Sequence, residues 1–309
     1  MENEILLLII SMAAALVGAI TKKYYTDRLG GSLPSVLLYN AIAAVVTVTT
    51  LFFWGGFGET SVYTLLLGVI FGALTSAQTI TFLKALKCGP MSYTSIMMAC
   101  SSLIPALSGS LFFGESLEWS HGVGFVLMLI SFALALEKKN GESGVNHKWF
   151  FLVLMTFLST GAIGLMQKIH QSSSHKSELN SFLITAFLCS LAFSVCYLSL
   201  LKAKCKGTDK RLLSISTNQH TEKNPRIIIT VICLAVILSG VAVAANNKLN
   251  IYLSGVMDSA VFFPIVNGGG LVLNTIAAVL LFRERLSLKK WVGVVVGILS
   301  VIFLCNPFK

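Results

Sequence analysis

The sequence predicts an all-α membrane protein: ten transmembrane helices forming two inverted five-helix repeats. Composition is the first support. Hydrophobic residues make up 55% of the chain and charged residues 12%, with a mean hydropathy of +0.81, whereas soluble domains carry about 25% charged residues. The second is the number of apolar segments long enough to cross a hydrocarbon core of about 30 Å; ten can be counted. The third is an internal repeat whose unit contains an odd number of these segments.

The first segment, residues 3–21, follows Met-Glu-Asn-Glu, an acidic start without the positive flank of a secretory signal. It is therefore expected to be retained, with no cleaved leader, and it ends at Lys22 and Lys23. Segment 2 covers 33–54, and segment 3 covers 61–86, closing near Lys84 and Lys87. A short turn containing Glu115 separates segment 4 (90–113) from segment 5 (118–136), which stops before Lys138 and Lys139. Segment 6 covers 148–170 and segment 7 covers 180–202. From Lys202 to Arg226 the chain carries Lys204, Lys206, Lys210, Arg211 and Lys223 among polar residues. Too little apolar content remains there to pack, which predicts a basic mobile loop at 203–225. Segments 8 (226–250), 9 (256–282) and 10 (287–305) complete the set, with Arg283, Arg285, Lys289 and Lys290 around the last connection.

The net charge of +10 is not scattered: nineteen of the 23 Lys and Arg residues fall in connections after odd-numbered segments. The positive-inside rule makes that face cytoplasmic and places both termini outside. The basic excess thus reports sidedness and predicts no nucleic-acid partner. The expected setting is a multi-pass protein of a bacterial plasma membrane, with the lipid bilayer and a small-molecule substrate as partners and room for a homo-oligomer. The seven cysteines form no CxxC pair and mostly lie in apolar segments, where Cys behaves as a small hydrophobe, so neither disulfide, metal nor other cofactor is predicted. The five histidines lie in connections or at helix ends and form no H-E-x-x-H motif. An intramembrane enzyme would need a nucleophile with its base, or metal ligands, facing one another, and no such pattern is present.

Shifting residues 91–134 by 169 positions without a gap superimposes Ile96 on Ile265, Leu111 on Leu280, Phe113 on Phe282, Glu115 on Glu284 and Leu117 on Leu286. Val123, Gly124 and Ser131 then fall on Val292, Gly293 and Ser300. A shift of 146 aligns segment 1 with segment 6, pairing Leu6 with Leu152, Leu8 with Leu154, Gly18 with Gly164 and Lys22 with Lys168. The repeats are thus 1–139 and 140–309. Because five is odd, the second enters the membrane from the opposite side, and inverted repeats are a construction by which secondary transporters hold substrate near the midplane between their halves.

The stretches ALKCGPMSYTSIMMACSSLIPALSGSLFFGESLEWSHGVGFVLMLIS and LSGVMDSAVFFPIVNGGGLVLNTIAAVLLFRERLSLKKWVGVVVGILS resemble the paired repeats of the EamA-type family in the drug/metabolite transporter superfamily. Gly89-Pro90, Pro105, and the Glu115 and Glu284 turns followed by Gly124 and Gly293 carry the likeness, which extends over nearly the whole chain. The resemblance implies a ten-helix fold with segments 5 and 10 peripheral and a cavity built by segments 1–4 and 6–9. It implies a transporter rather than an enzyme, and efflux before uptake. An uptake facilitator or exchanger of a polar metabolite is the alternative within transport; a membrane enzyme, receptor or structural protein is the alternative outside it. Two departures stand out: Asn40 occupies a position where family members often carry Arg, and the charge count places the termini outside where relatives are drawn with them inside.

Polar stripes in the apolar segments nominate the site. Ser259, Phe263, Asn267, Gly270 and Asn274 share one helical face of segment 9. Phe71, Thr75, Gln78, Thr79 and Phe82 form a stripe on segment 3, as do Thr94, Ser101, Pro105 and Ser108 on segment 4, while segment 8 adds Ser239, Asn246 and Asn250. Polar groups in lipid are unfavourable unless partnered, so these faces are expected to line the interior or a wet cavity. The substrate-binding candidates are Thr75, Gln78, Tyr93, Ser101, Asn246, Phe263 and Asn267. Pro105, Pro264, Gly268, Gly269 and Gly270 are the candidate hinge or gate, with irregular backbone expected in the Asn-Gly-Gly-Gly run. No Asp or Glu lies deep within a segment; Asp258, at the mouth of segment 9, is expected at a helix N-terminus. An interior of amides, hydroxyls and aromatics without a charged residue suits neutral, zwitterionic or amphipathic metabolites.

Overall fold

The computed structural model describes residues 2–29, 32–88, 98, 100–116, 118–135, 147–204, 225–281 and 288–304. They form ten α-helices: α1 (Glu2–Leu29), α2 (Leu33–Gly55), α3 (Val62–Cys88), α4 (Leu103–Phe112), α5 (Trp119–Ala135), α6 (His147–Gln171), α7 (Leu179–Lys204), α8 (Pro225–Val256), α9 (Ser259–Leu280) and α10 (Leu288–Leu304). A 3-10 turn, Lys176–Glu178, precedes α7. Six helices, α1, α2, α3, α6, α7 and α8, are long and apolar enough to cross a membrane, while α4, α5, α9 and α10 contain shorter apolar stretches. The chain is thus an α-helical protein of integral-membrane type.

Burial follows the logic of a lipid environment. Large apolar side chains face outward, with Phe53 88% exposed and Phe112 77% exposed, while Ser11, Ser35, Thr47, Thr64, Ser76, Ser194, Ser239 and Ser254 are buried. Between helices already surrounded by apolar solvent, close backbone approach and interhelical hydrogen bonds favour association. Gly72 brings α3 against α7, since a Cβ there would fall 2.2 Å from the Ala186 carbonyl oxygen. Gly240 does the same for α8 against α2, where a Cβ would meet Val46 at 2.6 Å and the Ala43 oxygen at 2.9 Å.

The helices interleave along the chain. α1 packs on α8 and α9, α6 on α3 and α4, α2 on α7 and α8, α3 on α7, α4 on α9, and α5 on α10. The α5–α10 contact is reciprocal: Ser131 Oγ donates to the Gly293 oxygen at 2.5 Å and Ser300 Oγ to the Gly124 oxygen at 2.7 Å.

Two local structures depart from the sequence expectation. The Asn267–Gly270 run is not irregular, because α9 continues unbroken from Ser259 to Leu280 through both Pro264 and the glycines. The break lies in segment 4 instead, where Met98 and Cys100 are helical and Ser101–Ser102 form a turn before α4. Pro105 has no N–H to donate to the Ser101 carbonyl, which accepts from the Ile104 amide at 3.1 Å in a tighter i to i+3 bond. Tyr93, Thr94, the Gly89-Pro90 entry, the Glu284 turn and residues 205–224 of the basic loop lie outside the described residues.

Candidate functional site

Eight of the ten helices, or the turn before α4, contribute to the wall of one cavity of about 360 Å³. It extends from Lys22 and Lys23 near the C-terminal end of α1 to Asn250, Phe262 and Phe263 where α8 gives way to α9. Thr75, Gln78, Ser101, Asn246, Phe263 and Asn267, six of the seven binding candidates, line it, together with Pro105 and Gly270. Pro264, Gly268 and Gly269 are not among the lining residues. Helical periodicity accounts for this sorting: on α9, Phe263, Val266, Asn267, Gly270, Leu271 and Asn274 face the cavity, whereas Pro264, Gly268 and Gly269 fall on the other side of the helix. Gly269 faces Met12 of α1, whose Cε would lie 2.4 Å from an added Cβ, while a Cβ on Gly270 would meet nothing within 4 Å.

Hydrogen bonding divides the polar lining into two sets. Asn40 donates to Ser190 at 3.1 Å and Ser194 at 2.8 Å, fastening α2 to α7. Asn246 donates to the Ser11 oxygen at 3.0 Å and its Oγ at 3.1 Å, while Ser11 donates to Asn250 Oδ1 at 2.5 Å, a cluster that fastens α1 to α8. Thr75 donates to its own helix at Gly72 and Ser101 to the Met98 carbonyl. These groups are largely occupied by the protein. Gln78 has only a Met98 sulfur at 3.9 Å and a weak contact from Thr79 at 3.5 Å. Asn267, Asn274 and Gln167 make no side-chain hydrogen bond among the described residues. Gln167 is only 5% exposed yet lines the cavity. A buried amide has several donor and acceptor sites that must find partners, so these amides are the groups with capacity left for a guest.

Sequence reasoning missed Gln167, Lys22 and Lys23. Gln167 carried a usable signal, being an amide in an apolar segment one position before Lys168. The lysines correct the expectation of an interior without charge: placed at the end of α1, they line the cavity as well as marking its membrane boundary. Some stripe members are elsewhere. Phe71 is fully buried against Phe182, Ser239 bonds Tyr39, and Ser108 bonds the Pro105 carbonyl.

Beyond Phe262 and Phe263 lies a charged knot. Lys168 Nζ lies 2.5 Å from Glu115 Oε1, with the two side chains 9% and 8% exposed. Lys168 also donates to the Ser254 oxygen at 3.1 Å. Glu115 Oε2 accepts the Ser259 amide at 2.7 Å and Oε1 accepts its hydroxyl at 3.1 Å. Asp258 holds the N-cap position of α9 but makes no side-chain capping bond. The carboxylate that meets the positive end of this helix comes instead from the α4–α5 turn, whose backbone reverses at Gly114 with φ of +68°.

No family model matches the chain. A protein of Haemophilus influenzae (strain ATCC 51907 / DSM 11121 / KW20 / Rd), described only as an uncharacterized protein, is 25% identical over 239 residues, which cover 75% of this chain and 72% of that one. One solved crystal structure superposes with a TM-score of 0.64 at 14% identity, covering 97% of this chain and 98% of the other. That likeness is one of fold alone.

Proposed function

We propose that this chain is an EamA-type secondary transporter of the drug/metabolite transporter superfamily, moving a small metabolite or drug-like molecule by alternating access between two inverted five-helix repeats. The observation that carries the reading is the exchange relation among contacts. Adding five to each helix number turns α1–α8 into α6–α3, α3–α7 into α8–α2 and α1–α9 into α6–α4, all of which are packed pairs. The same shift exchanges the two serine bonds between α5 and α10, since Ser131 and Gly124 align with Ser300 and Gly293. In this reading α4, α5, α9 and α10 complete ten spans, and the cavity between the halves is the substrate site.

Repeat-related lysines placed at the two ends of the cavity support a two-state cycle. Lys168 pairs with Glu115 at one end, and Lys22, its counterpart in the first repeat, lines the cavity at the other. With both termini outside, the end bearing Lys22 and Lys23 is cytoplasmic, and we take the buried Glu115–Lys168 pair to close the exterior end. Efflux begins from such a state, with substrate entering from the cytoplasmic end. A continuous α9 assigns the bending to the Ser101–Pro105 break rather than to the glycine run.

The test needs no known substrate. Gly270 is replaced by Cys in a chain freed of its seven native cysteines, and the variant is placed in right-side-out and inside-out vesicles. Alternating access expects a membrane-impermeant thiol reagent to modify the cysteine from both sides. Modification from one side only would overturn the transport reading.

A further inference from the structure

We infer that the cavity takes a small ring compound with a carboxamide or lactam edge, N–H donor beside carbonyl acceptor, an assignment that rests on the transport reading of the same site. The first ground is the chemistry left unspent in the wall. Gln167, 5% exposed, and Asn267 line the cavity and make no side-chain hydrogen bond among the described residues. Gln78 lines it too, with only the Met98 sulfur at 3.9 Å and the Thr79 hydroxyl at 3.5 Å beside its amide. Each of these amides offers two N–H donors and a carbonyl acceptor. The hydroxyls of the same wall differ, since Thr75, Ser101 and Thr160 each give their one proton to a backbone carbonyl of their own segment.

A guest with acceptors alone would leave the amide carbonyls without donors once water is displaced, and a guest with donors alone would strand the N–H groups. Unpaired buried polar groups are what a hydrogen-bonding site discriminates against most strongly. A carboxamide or ring lactam carries both kinds on one edge and pairs with an amide side chain in both directions.

The second ground is the placement of the amides around aromatic surface. A Cβ at Gly164 would lie 3.0 Å from Phe263 Cε1, so the two residues stand at one level. The end of α6 and the start of α9 meet at the Glu115–Lys168 knot. Gln167 therefore lies one turn from that level toward the knot, and Asn267 one turn from it in the opposite direction. Their backbones are separated by about 10 Å along the helix axes. Less the reach of the two side chains, that is the length of one substituted ring. Phe263, with Phe187 of α7, supplies apolar surface for the ring face, and a cavity of about 360 Å³ is at the small end of ligand pockets.

The experiment compares two guests of one shape. Gly270→Cys is the reporter, one turn from Asn267 and directed into open space; Ala14→Cys, on the α1 wall, is the second reporter should the first fail to fold. In purified protein freed of its seven native cysteines, modification by uncharged methyl methanethiosulfonate is timed as benzamide or acetophenone is added. Acetophenone keeps the ring and the carbonyl but has a methyl in place of the NH2, so the pair isolates the donors. Both are uncharged, which makes the comparison blind to the net charge of the cavity. Benzamide is expected to half-protect at a concentration at least about tenfold below that of acetophenone, although acetophenone is the more readily transferred out of water. Gln167→Met/Asn267→Leu, close in shape, is expected to cut this ratio at least about threefold. Either substitution alone is expected to cut it less, which keeps the readout should the double variant not fold.

A ratio near one, a ratio unchanged by all of these substitutions, or no protection by benzamide would overturn the assignment. So would half-protection by benzoate or benzylamine at a lower concentration than by benzamide. These outcomes are separable from failure of the transport reading. One-sided access in vesicles with a retained benzamide preference would leave an amide-binding cavity that does not transport. Two-sided access without that preference would leave a transporter of some other cargo.

Discussion

At the scale of single residues, Gly269 and Gly270 have opposite roles despite being neighbours. Gly270→Leu projects into the cavity, where a Cβ has open space. We expect it to change stability by no more than about 0.5 kcal/mol while stopping flux and ligand binding. Gly269→Leu drives into Met12 on α1 and should destabilise by about 1–3 kcal/mol, as overpacking does. Thermal unfolding of the two variants in micelles, read beside flux, checks both expectations; matching losses of stability would contradict the sorting. The sequence stripes on α9 and α3 were legible because an amide or hydroxyl in an apolar helix needs a reason, and period 3.6 says which ones share a face. What they could not reveal is which amides are already spoken for. Asn246 and Gln78 look alike in the sequence, yet Asn246 fastens α8 to α1 through Ser11, and Gln78 has only weak contacts. That distinction depends on residues more than 200 positions away.

At the scale of elements, the Glu115–Lys168–Ser259 knot joins the α4–α5 turn, the end of α6 and the start of α9. Both charges are nearly excluded from solvent, so removing one leaves the other buried without its counter-ion. Glu115→Ala is expected to destabilise by about 3–5 kcal/mol, and Glu115→Gln/Lys168→Met to regain much of that loss, because a buried pair often contributes little beyond apolar replacements of similar shape. Denaturant unfolding of the single and double variants decides it: a double variant as unstable as the single one would exclude this account. The sequence identified Glu115 as a turn residue and Lys168 as a helix-end lysine, but their pairing required the three-dimensional crossing of α4 and α6. The proline expectation was half met for a similar reason. Both prolines remove an N–H, but α9 remains continuous around Pro264, with Phe262, Phe263 and Ile265 buried beside it. Around Pro105 the preceding carbonyl is rebonded in a turn.

At the scale of the whole molecule, helix existence was read well from apolar length, since most observed ends fall within a few residues of the expected ones. Apart from segment 4, which turns at Ser101–Ser102 before α4 begins at Leu103, the largest differences are α1, which continues past Lys23 to Leu29, and α8, which continues to Val256. In both cases helix packing carries the helical backbone beyond the apolar run, with Tyr25 packed against Tyr39 and Leu253 buried in a cluster with Phe262 and Phe263 of α9. The exchange relation between halves predicts matched energetics. Ser131→Ala and Ser300→Ala should each destabilise by about 0.6 kcal/mol, and by no more than about 1.7 kcal/mol. Unfolding midpoints of the two variants should therefore agree closely, and a markedly unequal pair would argue against equivalent environments for the two bonds.

The interleaving of helices also bears on how the chain is made. α1 finds its main neighbours in α8 and α9, more than 200 residues later in the sequence, and α5 finds its neighbour in α10. During synthesis, the first helices to enter the bilayer therefore wait for the last ones, with Ser11 and Ser131 meanwhile lacking Asn250 and Gly293 as hydrogen-bond acceptors. Neither half can reach its final packing alone, so a ribosome that stops before α8 releases an unfinished membrane segment for quality control to recognise.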